Sequence, residues 1–308
     1  MTPVEQGPVL FKHAAIIGFG NLGSSVARAL RKSATVGGLT ASDLSADVLS
    51  RARALDLAER YEADPATGVQ GADLVVICSP ISTYAAILDA IRPALAEGTI
   101  VTDIGSVKRV VADIAEGRIP EGVRFVPGHP IAGSEKSGPE FGHEDLFDGR
   151  YWILTPGETT DRDAVERLTV LWGRCGAIVE EMAVDYHDKV LAMTSHLPHL
   201  IAYSIVGTAF DLQSSEQRDV IRFSAGGFRD FTRLAGSDPI MWRDVFLNNK
   251  EAVLEMLQRF GEDLSLLQRA IRWDDGDTLE KFFRETREVR RSVVEAKQDK
   301  PYPGADGD

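Results

Sequence analysis

Cysteine is scarce in this chain of 308 residues, which has only Cys78 and Cys175. Two cysteines cannot build a disulfide framework, and neither has a second ligand at metal-site spacing. Positive charge is also short, since 34 Lys and Arg face 47 Asp and Glu, for a net charge of -13. Such a surface repels phosphate over most of its area, which excludes non-specific binding to nucleic acid or anionic membranes. It still leaves room for a local basic pocket that takes a small anion. No apolar run approaches the roughly 20 residues that span a bilayer. Residues Met1 to Lys12 hold no basic stretch followed by an apolar one. No export signal is therefore expected, and the cytoplasm is the default compartment.

Hydrophobic residues at 44% and charged residues at 26% are ordinary globular values. The length suits two domains with a substantial core. The first half alternates short apolar runs with helical patterns. Strands are expected at His13–Gly18, Gly38–Ser42, Leu74–Ser79, Thr99–Ile104, Arg124–Pro127, Tyr151–Thr155 and Ala177–Glu180. Between them, Tyr84, Ile87, Leu88, Ile91 and Leu95 mark one helix face, which Pro93 should bend or shorten. This alternation predicts a doubly wound, mainly parallel α/β sheet over residues 1–182. After about Met182 no strand is evident. Val253, Leu257, Phe260, Leu264, Leu267 and Ile271 recur at spacings of four and three, the seam of a long packed helix. An all-helical domain is expected over 183–297, followed by a disordered tail over 298–308.

Gly18-Phe19-Gly20-Asn21-Leu22-Gly23 follows the first strand and opens a helix. The glycines allow a tight turn and close approach of backbone to a pyrophosphate, and the helix N-terminus offers unpaired amides to that anion. Asp43 follows at about the 20-residue spacing expected of the acid that binds the adenosine ribose. A carboxylate there repels an added phosphate, so NAD is expected over NADP. Ser79 and Pro80, at the end of the Leu74–Ser79 strand, complete the expected cofactor set. The alternative is a glycine turn of purely structural use.

Two polar clusters lie at strand ends, Thr102-Asp103-Ile104-Gly105-Ser106-Val107-Lys108 and Gly128-His129-Pro130-Ile131-Ala132-Gly133-Ser134-Glu135-Lys136-Ser137-Gly138. Ligands of doubly wound sheets bind outside the carboxyl ends of the strands, so Ser106 and His129 should face the nicotinamide. A histidine of ordinary pKa, about 6.5, suits a proton acceptor near neutrality. The alternatives are a helix N-cap for Ser106 and a strand-end residue for His129. Ser195-His196-Leu197-Pro198-His199 interrupts an apolar helix expected over Val190–Phe210, where Pro198 should bend it and turn polar groups inward. No metal site is expected, because His196 and His199 lack a clear acid partner. His13, His143 and His187 belong to no motif and are read as ordinary.

Taken together, GFGNLG, DIGSVK, GHPIAGSEKSG, LFDGRYWILTP, SHLPH and GGFRDFTRLAGSDPIMW resemble the prephenate/arogenate dehydrogenase family of tyrosine biosynthesis, from about residue 12 to about 297. The resemblance implies an NAD-dependent oxidative decarboxylation of prephenate, arogenate or both. It assigns His129 as the catalytic base and Ser106 as the serine near the same hydroxyl. Arg233 would grip the ring carboxylate, with Arg229 as local rival, because a guanidinium pairs a carboxylate bidentately and stays charged. Ser134, Glu135, Ser195, His196 and His199 would line the substrate pocket. Trp242 would form its apolar wall, with core packing the alternative. Apart from the resemblance, the apolar seam of the helical domain is long for a small domain to cover alone, so a homodimer through that domain is expected. Too few residues flank the matched region for a fused mutase or a regulatory domain, so tyrosine would be expected to inhibit by competing at the substrate pocket. Two rivals remain. One is a beta-hydroxyacid dehydrogenase or imine reductase, for which Lys250 is the tempting acid. The other is an NAD-sensing protein without turnover.

Overall fold

The computed structural model describes residues 7–133, 136–211, 219–220 and 222–295. Six strands form one parallel sheet. They are β1 (Ala14–Ile17), β2 (Leu39–Ser42), β3 (Arg60–Glu62), β4 (Leu74–Ile77), β5 (Ile100–Asp103) and β6 (Arg124–Val126). Their spatial order is β3-β2-β1-β4-β5-β6, so the order reverses between β1 and β4 and opens a crevice at their carboxyl ends. Ala14 and Ile16 enter one core while Ala15 and Ile17 enter another. A sheet buried on both faces needs such continuous apolar runs. Helices α1 (Asn21–Lys32) and α2 (Ala46–Ala54) cover the first face, and the single turn α3 (Pro65–Gly68) follows. Helices α4 (Tyr84–Ile91) and α5 (Lys108–Ala115) cover the second face, and α6 (Arg162–Arg174) returns to the first. Pro93 acts as expected, since α4 stops at Ile91 and a short 3-10 turn, Arg92–Ala94, replaces its last turn.

The segments Tyr151–Thr155 and Ala177–Glu180 do form strands, but not in the main sheet. β7 (Gly128–Pro130) pairs antiparallel with β8 (Tyr151–Leu154), which pairs parallel with β9 (Ile178–Glu181), in a separate sheet. Pro127 has no N–H to extend the β6 ladder. Its carbonyl instead accepts from the Thr155 N–H at 2.9 Å, and the chain turns into the second sheet. Trp152 stacks on Trp172 at 3.6 Å and pins β8 to α6. β3 and β7 escape sequence reading because each is three residues long without an apolar run.

Beyond Glu181 every element among the described residues is helical. These are α7 (Val184–Leu191), a π turn (Ala192–His196), α8 (Leu197–Phe210), α9 (Gly226–Thr232), α10 (Pro239–Asn248), α11 (Lys250–Arg272) and α12 (Gly276–Glu295). Pro198 lies in the first turn of α8, where a missing N–H costs least. The expected interruption takes the form of a π turn, closed by the Leu197 N–H on the Ala192 carbonyl. Val184–Phe210 is thereby one 27-residue helical stretch of hydropathy 1.2, long and apolar enough by length and composition to cross a bilayer. Only 28% of its most apolar window is buried within the chain, and its buried residues include the polar His187, Asp188 and His196.

The helical half docks on the α4 and α5 face, where Trp242 and Val245 join the core of Tyr84, Leu88, Val107 and Val111. Along α11, Val253 is buried with Met256, Ala192 and Leu197, whereas Leu257, Leu264 and Ile271 stay exposed. A single chain therefore covers only part of the expected seam. The tail over 298–308 lies outside the described residues. A Cβ on Gly23 would lie 2.0 Å from the Gly18 carbonyl oxygen, backbone against backbone. Gly23→Ala should therefore destabilise the protein by about 1–3 kcal/mol or more, read as a lower urea midpoint; an unchanged midpoint would contradict this packing.

Candidate active site

The glycine turn joins the end of β1 to α1. Gly18 has φ +88°, and a Cβ there would meet the Ser79 nitrogen at 2.6 Å, so the turn is pressed against the end of β4. Gly23 packs the helix onto that turn. Gly20 is different, because a Cβ there would meet nothing within 4 Å. Packing does not require this glycine, but close approach of an anion to the backbone does. Gly20 is also the N-cap of α1 and makes no side-chain cap, so the first amides of the helix are not satisfied by a capping side chain. Half-buried Asp43 accepts the N–H of Phe19 at 2.8 Å and of Ser45 at 2.9 Å, which fixes its carboxylate beside the turn. These residues fit a dinucleotide.

The other expected cofactor residues play mixed parts. Phe19 is fully buried in the core and Leu22 packs against it, so at these two positions the backbone faces the turn. The Asn21 amide donates to the carbonyls of Lys136 (3.3 Å) and Phe141 (3.2 Å), tying down a crossing loop. Ser79 accepts from the Thr83 hydroxyl at 2.8 Å, and exposed Pro80 follows it. Ser134 and Glu135 lie outside the described residues.

At the carboxyl end of β5 lies an ion pair that sequence reading missed. Asp103 and Lys108 are both fully buried, and the Lys108 ammonium meets the Asp103 carboxylate at 2.6 Å. Burial pulls the ammonium below its usual range, and Asp103 opposes this. Asp103 also accepts the N–H of Gly105 (2.7 Å) and Gly128 (3.0 Å), and Lys108 donates to the Gly128 carbonyl (2.7 Å). The pair thus locks Gly128, and with it the neighbouring His129, to the nucleotide sheet. Half-buried Ser106 sits between these two residues. It is not the helix N-cap, since α5 begins after Val107 without a capping side chain from its own turn.

That cap comes from the helical half. Asp188 of α7 accepts the N–H of Lys108 (2.7 Å) and of Arg109 (2.9 Å). Its other partner is His187, whose Nδ1 lies 2.7 Å from the carboxylate. Burial pushes the Asp188 carboxyl up, but these hydrogen bonds outweigh it and hold the group below the usual carboxylate range. His187 Nε2 in turn meets His129 Nδ1 at 2.9 Å. Burial, and then the charges of His187, Lys108 and His196, hold His129 well below an ordinary histidine. It is neutral near pH 7. Sequence reading left His187 as ordinary, because it belongs to no motif.

The chain of contacts continues. Asn249 donates to the Asp188 carbonyl at 2.8 Å and meets His196 Nδ1 at 3.1 Å. Burial pushes His196 down to about 4. His196 Nε2 and Trp242 Nε1 are buried without a hydrogen-bond partner among the described residues. His199 stacks on Trp242 at 3.7 Å, and its Nδ1 bonds the Ser195 carbonyl at 2.8 Å. Burial lowers His199, and the nearby charge of Arg233 lowers it further. Arg233 opens the 3-10 turn after α9, whereas Arg229 pairs with Asp230 on the exposed surface. His129, His187, Asp188, Asn249, His196, Trp242 and His199 are thus linked neighbour to neighbour, and the charge of Arg233 acts on the last of them. Lys250 is exposed, and it is the preceding residue, Asn249, that enters this network.

Two family descriptions match the chain, "Prephenate dehydrogenase, nucleotide-binding domain" over residues 26–181 and "Prephenate dehydrogenase, dimerization domain" over 184–285. The cyclohexadienyl dehydrogenase of Zymomonas mobilis is 40% identical over 92% of this chain and 97% of its own length. The prephenate dehydrogenase of Bacillus subtilis is 33% identical over 89% of this chain and 74% of its own. Among solved structures, prephenate dehydrogenase from Aquifex aeolicus in complex with hydroxyphenyl propionate and NAD+ aligns with a TM-score of 0.85. It is 35% identical, over 92% of this chain and 98% of that one. If Gly20 is kept bare for a bound nucleotide, Gly20→Ala should leave thermal stability unchanged and weaken NAD binding at least tenfold by calorimetry. Unaltered affinity would contradict the assignment.

Proposed function

The chain belongs to the prephenate dehydrogenase family, and from that premise we propose that it oxidises and decarboxylates prephenate, arogenate or both, with NAD as hydride acceptor. The products are 4-hydroxyphenylpyruvate or tyrosine, with carbon dioxide and NADH. The single observation that carries this reading is His129, a buried neutral imidazole beside the nucleotide sheet and hydrogen-bonded to the helical half. When bound, NAD accepts the hydride from the hydroxyl-bearing ring carbon.

The chain supplies the rest. His129 accepts the hydroxyl proton as the ring is oxidised, and the bond to the ring carboxylate breaks to release carbon dioxide as the ring becomes aromatic. Ser106 orients the same hydroxyl. Arg233 binds carboxylate from the helical side, where an acidic protein needs a local cation. His196 and His199 line the pocket and Trp242 walls it, while the roles of Ser134 and Glu135 rest on resemblance alone. Asp43, fixed by two backbone amides, favours NAD over NADP. The exposed apolar residues of α8 and α11 serve a homodimer, in keeping with the dimerization-domain match. Tyrosine competes at the same pocket.

Purified protein with NAD and prephenate or arogenate should raise NADH absorbance in step with carbon dioxide release; no NADH from either substrate would overturn the reading. His129→Asn should cut turnover by roughly 10²–10⁴ while sparing substrate affinity. Arg233→Gln should mainly raise KM, and a pure rate effect would contradict its binding role.

A further inference from the structure

A neutral imidazole is a base at only one nitrogen, so a histidine base needs its tautomer set. The hydrogen bonds around His129 determine which nitrogen that is. The Asp188 carboxylate only accepts, and it already takes two backbone N–H groups from α5. His187 Nδ1, 2.7 Å from that carboxylate, must therefore carry a proton. Burial holds His187 neutral, against the hydrogen bond to Asp188, so its Nε2 is bare and can only accept. The 2.9 Å contact between His187 Nε2 and His129 Nδ1 needs one proton, and only His129 can supply it. The two rings meet edge to face, 69° apart.

We propose that the His187–Asp188 pair is a positioning device that holds the proton on His129 Nδ1 and leaves Nε2 as the lone pair that takes the substrate's proton. This rests on the functional reading above. A carboxylate placed directly against His129 would favour its charged form. The neutral ring of His187 puts the negative charge one residue further away, orienting the base without protonating it. His129 Nε2 makes no hydrogen bond among the described residues, so it is free to meet a hydroxyl.

Long-range proton–nitrogen NMR on the full-length protein labelled with ¹⁵N-histidine, at pH 7, reads the tautomer directly. The expected spectrum shows His129 with Nδ1 protonated and Nε2 bare; an Nε2–H or doubly protonated ring would overturn the proposal. In parallel, His187→Gln retains an acceptor for His129 and a donor for Asp188 and should keep most of kcat. His187→Leu removes both and should lose roughly 10²-fold in kcat with NAD affinity unchanged. Equal losses in the two variants would also overturn it. Wild-type protein without turnover would overturn the functional reading and the proton-acceptor role together. A wrong tautomer in an active enzyme would overturn this proposal alone.

Discussion

One carboxylate, that of Asp188, holds the two halves of the molecule in register. It reaches from the first helix of the C-terminal half to cap α5 of the nucleotide half, satisfying two amides that the sequence around Val107 leaves unpaired. An anion at a helix N-terminus is favourable by about 0.3–1 kcal/mol when exposed, and up to ~2 kcal/mol when partly buried. Asp188 is buried, so its full set of hydrogen bonds decides whether the arrangement stabilises the fold or costs energy. All its partners are in place, and one of them is His187.

The same principle governs the opposite side of His129. Asp103 and Lys108 are fully buried, and desolvating such a pair is expensive unless every remaining lone pair and proton is used. Here the Asp103 carboxylate also accepts from Gly105, Gly128 and Tyr84, and the Lys108 ammonium also donates to the Gly128 carbonyl. Losing one partner of such a pair costs about 3–5 kcal/mol, so Gly128 is held far more firmly than a surface turn would be. His129 is therefore fixed from behind by the sheet and from the side by the helical half. In its proposed role as base, a histidine mounted this way does not need to reorganise when substrate arrives.

How much of this was legible in the sequence depends on whether the constraint was local. The glycine turn and Asp43 were readable because backbone geometry demands particular residue types at fixed spacing. The places of Ser106 and His129 at the ends of strands were readable from the apolar runs before them, while their roles belong to the proposed function. His187 was not, because its meaning comes from His129, 58 residues away, and from a neighbour whose own partners lie 80 and 79 residues away. Asp103 and Lys108 sat within a noted cluster, but only burial turns a common charge pair into a structural lock. The second sheet was hidden by Pro127 and by the shortness of β7. The α11 seam was visible as a repeat, although its exposure in one chain was not.

The most direct test is a crystal structure of the protein with NAD and hydroxyphenyl propionate, the analogue bound in the Aquifex aeolicus relative. The account predicts the analogue hydroxyl within about 2.6–3.2 Å of His129 Nε2, with Nδ1 still on His187. An analogue seated away from His129, or a His129 ring turned so that Nε2 faces His187, would contradict it.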